Sequence, residues 1–353
     1  MSILRPLSIV LSVMWTAGAS AQVSLTPPTI EKPAVKPAAK PKPPEPPKKS
    51  ADPVATPKRT APPVATVTPA PAPDDPNLDL VYGAYQRGMY KTAFDLAIKR
   101  AQENGDPKAM TMLGELYANA LGVKRDYAKA ADWYKRAADG GDREAMFALA
   151  MLRLAGRGGP ANREEAAKLL ASSAKLGNPK AAYNLALLYL DGQTLPQDVK
   201  RAAELFRVAA DAGNPEAQYA LATFYKEGTG VPKDIEKSVR LLQAASLSDN
   251  VDAEVEYAIA LFNGTGTPKN ESAAVALLRK AAKQNSPIAQ NRLARVLVTG
   301  QGASIDKIEG FKWHLVAKTS GKGDPMLDEA MAQLSPEDRA QAESAARRWL
   351  GTR

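Results

Sequence analysis

The amino-acid sequence predicts an all-α fold: an α/α solenoid of about six 36-residue helix-turn-helix repeats with capping helices. Three observations predict it. Glycine returns at steps of 36 residues, two columns of helix-capping residues recur with the same period, and apolar residues follow each cap at helical spacing. Each repeat therefore begins two helices, which we name helix A and helix B. One pair cannot cover its own apolar stripe, but a stack of pairs buries a continuous core.

The turn between repeats sets the period, and helix A starts directly after it. The turn column holds mostly glycine: Gly105, Gly141, Gly177, Gly213, Asp249, Asn285 and Gly321. The side chains of the next column can accept a hydrogen bond from a free backbone N–H at a helix start. The members of this column are Asp106, Asp142, Asn178, Asn214, Asn250 and Ser286. They predict the start of every helix A.

Helix A is predicted to end at a loop glycine, where the chain takes a positive φ. This column holds Gly156, Gly192, Gly228, Gly264 and Gly300. Helix B starts shortly afterwards at a second column of caps: Asp126, Asn162, Asp198, Asp234, Asn270 and Asp306. A Gly-x-Gly in these loops is a turn rather than a phosphate-binding fingerprint, because such a fingerprint follows a strand and this one follows a helix.

The helix interiors combine small and bulky residues. Helix A repeats an alanine column and, four positions later, a mostly leucine column: Ala109, Ala145, Ala181, Ala217, Ala253 and Ala289, then Leu113, Leu149, Leu185, Leu221, Tyr257 and Leu293. Helix B repeats a bulky column from Trp133 to Trp313 and a small one from Ala137 to Ala317. Small residues let helix axes approach closely while large ones fill the adjoining holes.

These residues carry a family resemblance. The pattern Ala-x-x-x-Leu-Gly-x-x-Tyr from Ala109 to Tyr117, the loop ending Leu121-Gly122-Val123, and the segment from Asp126 to Ala138 resemble the Sel1-like repeat, a relative of the tetratricopeptide repeat. The resemblance covers residues 105–320 in six copies. It implies a right-handed solenoid that acts as a non-enzymatic scaffold or adaptor for a protein or peptide partner.

The two ends of the array are predicted to differ from the repeats. Residues 77–104 resemble the tetratricopeptide helix pair that often opens such arrays. Residues 321–353 depart from the repeat pattern, and Ser335 is positioned to cap a polar final helix that runs to Trp349. We expect these C-terminal capping helices to cover the end of the core.

The N-terminal residues 1–21 are predicted to be a secretory signal peptide. Arg5 precedes an apolar run from Leu7 to Ala17, and the triplet Ala19-Ser20-Ala21 predicts cleavage after Ala21. A retained membrane anchor is the alternative, although a spanning helix needs about 20 apolar residues. The expected localisation is periplasmic or secreted.

Residues 22–76 are predicted to form a disordered spacer rich in proline, alanine and lysine, because they hold too few apolar side chains to offset the entropy of ordering. This Lys- and Pro-rich spacer is a candidate for contact with the cell wall or a membrane surface, although its positive charge is spread thin. Nucleic acid is not expected as a partner, because an exported protein meets little of it and the basic residues are not interleaved with aromatic ones.

The composition excludes several kinds of active site. The 353 residues include no cysteine and one histidine, which rules out disulfides, thiolate nucleophiles and histidine-rich metal sites. No catalytic residue, metal ion or cofactor is predicted. The absence of cysteine and of a long membrane anchor also argues against a second alternative, an endoplasmic-reticulum quality-control adaptor of the same family.

A cell-wall-active enzyme is the first alternative function. Ser172 with Lys175, then Ser248-Asp249-Asn250, then Lys318-Thr319-Ser320 follow the order of the serine β-lactamase and penicillin-binding motifs. The repeat explains these residues better, since they occupy helix ends and turns of different repeats. His314 lies in a column of apolar and aromatic residues, which predicts a packing role.

The tetratricopeptide resemblance implies a partner-binding groove on helix A, two positions before and after the leucine column. The predicted groove residues are Phe147, Met151, Tyr183, Leu187, Tyr219 and Thr223. Phe147, Tyr183 and Tyr219 share one column and would form an aromatic ridge of the kind that anchors a peptide. The alternative is that these rings pack against the next helix.

Overall fold

The computed structural model describes residues 79–351. This part of the chain forms sixteen α-helices and no β-strand, and the consecutive helices of the repeats pack against one another along the sequence. The prediction of an all-α solenoid is confirmed. The predicted signal peptide and spacer, residues 1–76, lie outside the described residues.

The described chain opens with α1 (Leu80–Gln86) and α2 (Tyr90–Asn104). Six pairs of an A helix and a B helix follow: α3 (Pro107–Asn119) and α4 (Tyr127–Asp139), α5 (Arg143–Ala155) and α6 (Arg163–Lys175), α7 (Pro179–Asp191) and α8 (Val199–Asp211), α9 (Pro215–Glu227) and α10 (Ile235–Leu247), α11 (Val251–Asn263) and α12 (Glu271–Lys283), α13 (Pro287–Thr299) and α14 (Lys307–Thr319). Two helices close it, α15 (Pro325–Ala332) and α16 (Pro336–Gly351).

Both predicted columns of N-caps are confirmed in all six repeats. Each cap side chain accepts a hydrogen bond from a backbone N–H two or three residues later, for example from Ala145 to Asp142 over 2.7 Å at the start of α5. Asp126 does the same at the start of α4, with Lys129 as donor at 3.0 Å. Ser335 caps α16 through the N–H of Asp338. The sequence therefore determines locally where each of these helices begins.

The loops between helix A and helix B need glycine for two reasons. The residue that ends helix A is left-handed in every repeat, with φ between 62° and 81° at the five glycines and 59° at Ala120 in the first copy. The second loop glycine also approaches the preceding repeat: a Cβ on Gly158 would lie 2.2 Å from the carbonyl oxygen of Tyr127. A side chain there would push neighbouring repeats apart.

The core lies between the helices of each pair and continues from one repeat to the next. The alanine column of helix A is almost completely buried, and so are most of the leucines that follow it. At the C-terminal end α16 packs on α14, where Trp313 and Trp349 meet edge to face with ring centroids 4.9 Å apart. None of the sixteen described helices combines the length and apolar character that a membrane span requires.

Candidate functional site

The A helices form a continuous surface, the A-helix face, because side chains connect one repeat to the next. Tyr219 on α9 donates a hydrogen bond to Glu256 Oε1 on α11 over 3.3 Å. Earlier in the array, Thr111 Oγ1 on α3 donates to the cap Asp142 over 3.1 Å, and Asn291 on α13 donates to the carbonyl oxygen of Lys322. The column two positions before the leucines of helix A, which includes Thr111, Tyr219 and Asn291, therefore contacts the repeat that follows.

The structure places the six predicted groove residues on α5, α7 and α9. The rings of Phe147, Tyr183 and Tyr219 are each partly buried rather than fully exposed. Tyr183 packs on the buried ring of Phe206 from α8, with centroids 5.6 Å apart. Burial, with a smaller contribution from Glu216, raises the pKa of Tyr183. Each ring thus rests on the core and presents part of its surface to solvent.

The other three predicted groove residues differ in what they offer a partner. Met151 is 38% exposed and is the most accessible apolar side chain of the six. Leu187 is partly buried against the core. The hydroxyl of Thr223 donates to the carbonyl oxygen of Tyr219 in its own helix, over 3.2 Å. Met151, Leu187 and the aromatic rings therefore form the apolar part of the A-helix face.

Carboxylates continue this face beyond the aromatic ridge, and the sequence analysis missed them. Glu227 and Asp252 are exposed on α9 and α11, and Glu256 on α11 accepts from the hydroxyl of Tyr219. Burial raises the pKa of Tyr219, and the carboxylates of Glu256, Asp252 and Glu227 raise it further. A count of charge helix by helix would have found these residues, because α11 contains acidic side chains and no Lys or Arg.

The residues of the β-lactamase-like pattern have structural roles in their own repeats. Asn250 caps α11 by accepting from the N–H of Ala253. Asp249 lies in the turn with φ 59° and pairs with Lys280. Lys318 pairs with Asp328 over 2.7 Å. These contacts agree with the repeat-based explanation of the pattern.

His314 is completely buried on α14 and contacts α15. Its Nε2 lies 2.8 Å from Asp328 Oδ1, which also accepts from Lys318. Hydrogen bonds from Lys318, and to a smaller extent from His314, lower the pKa of Asp328, because both favour the carboxylate form. Across residues 79–351, no group of three His, Asp or Glu side chains could hold a metal ion.

Comparison with known proteins agrees with this architecture. The Sel1 repeat family model matches residues 107–142, 143–178, 179–214, 215–250, 251–286 and 287–321. A Sel1 repeat protein from Oxalobacter formigenes has a similar structure, with a TM-score of 0.57, 24% identity, and coverage of 67% of this chain and 94% of that one. A protective antigen present in uropathogenic Escherichia coli strains, with an SLR fold, has a TM-score of 0.53 at 25% identity, covering 74% of this chain and 64% of the antigen. No curated protein matches the sequence significantly.

Proposed function

Because the chain belongs to the Sel1 repeat family, we propose that it is a non-enzymatic scaffold that binds a protein or peptide partner on the A-helix face. Sel1 repeat proteins are commonly protein-interaction scaffolds, and stacked helix repeats offer partners an extended surface. The observation that carries the proposal is the partly exposed apolar strip of Phe147, Met151, Tyr183 and Leu187, which spans two adjacent repeats. Aromatic side chains such as tyrosine are frequent anchors of binding energy at protein interfaces.

The finer role that we propose is regulatory, in envelope assembly, exopolysaccharide production or signalling after export. Its support is the N-terminal pattern of Arg5, an apolar run and the triplet Ala19-Ser20-Ala21. The Lys- and Pro-rich residues 22–76 would then meet the cell wall or a membrane surface. Mass spectrometry of the exported protein should find Gln22 at the N-terminus. An N-terminus at Met1 would indicate instead that the apolar segment is retained as a membrane anchor.

Site-specific crosslinking tests the proposed face. A photo-reactive residue at Met151 should capture the partner in intact cells, whereas one at Val208, 49% exposed on helix B of the next repeat, should not. Equal capture from both positions would contradict the proposal. Nitrocefin turnover by the purified protein would contradict its non-enzymatic part.

Substitutions on the A-helix face should then weaken binding of the captured partner. Met151→Asp is expected to weaken it without changing the melting temperature, because Met151 is exposed; Val208→Asp is the matched control. Tyr183→Ala should cost about 1–3 kcal/mol in affinity, as expected for a central anchor. It should also lower the melting temperature, because the ring packs on Phe206. Unchanged affinity in both A-face variants would refute the groove.

A further inference from the structure

Two neighbouring A helices, α9 and α11, differ in charge from the B helices of the repeats. In every repeat, helix B carries more Lys and Arg than Asp and Glu. The A helices α9 and α11 show the reverse, with the acidic residues Glu216 and Glu227 on α9 and Asp252, Glu254 and Glu256 on α11. This acidic segment lies in a chain with net charge +9, so it is a local feature of two neighbouring A helices.

Most of these carboxylates are not used to hold the fold. In the part of the chain that the structure describes, the side chains of Glu216, Glu227 and Asp252 make no hydrogen bond and no ion pair. Lys226 is the single cation of α9, and it is engaged with Glu256 over 2.8 Å. Three exposed carboxylates therefore remain available to a cationic group from outside.

The acidic segment adjoins the apolar strip rather than lying apart from it. Glu216 precedes Tyr219 by three residues on α9, about one helical turn, and the hydroxyl of Tyr219 donates to Glu256 on α11 over 3.3 Å. Glu216 also contributes to the raised pKa of Tyr183. The two tyrosine rings of the ridge, Tyr183 and Tyr219, therefore each have a carboxylate nearby. A Lys or Arg side chain fits such a place well, because its stem covers apolar surface while its charged end reaches the carboxylate.

Resting on the proposed function, we propose that the partner segment carries apolar side chains next to Lys or Arg. The apolar side chains of the partner contact Phe147, Met151 and Leu187 on α5 and α7. The Lys or Arg side chains of the partner contact Glu227 on α9 and Asp252 on α11. Complementary charge of this kind speeds association and selects among apolar segments that would otherwise bind alike.

A displayed library of random peptides tests the proposal without a known partner. Selection on the wild-type protein should enrich peptides that combine apolar residues with Lys or Arg. Synthetic copies of the enriched peptides should bind at least about tenfold more weakly to a Glu227→Lys, Asp252→Lys variant, as measured by fluorescence anisotropy. Salt raised from about 50 to about 500 mM should weaken wild-type binding more than binding to this variant.

The matched control places the same charge change on B helices. Asp211→Lys with Glu236→Lys alters exposed positions of α8 and α10, and should change affinity by less than about threefold. Equal losses in both charge variants, no enrichment of Lys or Arg, or no binder at all would overturn the proposal.

Binding of the same peptides to a Tyr183→Ala variant distinguishes failure of this proposal from failure of the proposed function. Peptides that require Tyr183 but lack Lys and Arg would refute the charge preference alone. Peptides that bind equally well without Tyr183 would refute binding on the A-helix face itself.

Discussion

Replacing Gly114 with alanine is expected to lower the free energy of unfolding by about 1–3 kcal/mol, the usual cost of overpacking a core. A Cβ at this position would lie 2.5 Å from Cε1 of Tyr134, well inside van der Waals contact. The ring cannot simply move away, because it is buried and its hydroxyl donates to Glu115 over 3.1 Å. Thermal and urea unfolding followed by circular dichroism would measure the loss.

The other repeats supply the control for this prediction. Alanine occupies the column of Gly114 in the next five copies, and the column of Tyr134 then holds a leucine in three of them, as in the pair Ala150 and Leu170. The double variant Gly114→Ala, Tyr134→Leu should therefore recover much of the stability lost by Gly114→Ala. A single variant as stable as the wild type, or a double variant less stable than the single, would contradict this account of the packing.

The helices could be predicted from the sequence because local chemistry positions their ends. Each cap bonds to a backbone N–H only two or three residues away, so a cap such as Asn178 acts before any distant contact forms. The structure adds Ala120, which stands 36 residues before Gly156 and takes the same left-handed conformation although it is not glycine. The glycine column therefore predicted this turn in five repeats, and the structure shows it in the sixth.

The side-chain environment of the A-helix face could not be predicted in this way. The column of Tyr183 was identifiable, but its half-burial depends on Phe206, which is 23 residues away in the sequence and belongs to helix B. Likewise, the sequence does not show that Lys226 pairs with Glu256 of the next repeat rather than with its neighbour Glu227. Which long side chains of neighbouring repeats pair with each other depends on their lengths and rotamers, and the sequence period gives no information on these.

Glu254 is a second residue whose environment the sequence analysis missed. Its side chain is completely buried, and within the described residues neither carboxylate oxygen accepts a well-formed hydrogen bond. The same column holds Gln218 and Gln290, whose amides donate to carbonyl oxygens at the end of the preceding helix B, at 3.2 and 3.1 Å. An ionised carboxylate has no hydrogen to donate, so Glu254 cannot make that bond.

Lys280 offsets the buried charge of Glu254. Its Nζ lies 2.6 Å from Glu254 Oε1 and 2.6 Å from Asp249 Oδ1. The carboxylates of Asp249 and Glu254 raise the pKa of Lys280, which keeps the ammonium charged. Because the side chain of Lys280 is 44% exposed, water shares in stabilising the pair, and the pair is weaker than a fully buried one.

Removing Lys280 should therefore destabilise the protein far more than removing the charge of Glu254. Lys280→Met leaves an uncompensated buried carboxylate and is expected to cost about 2–3 kcal/mol. Glu254→Gln should be neutral or stabilising, because glutamine can donate as Gln218 and Gln290 do. Combined with Lys280→Met, it should cancel most of the loss. Lys283→Met, an exposed change on the same helix, is the control in urea unfolding. A Lys280→Met variant no less stable than this control, or a double variant as unstable as Lys280→Met, would show that the ion pair does not stabilise the buried carboxylate.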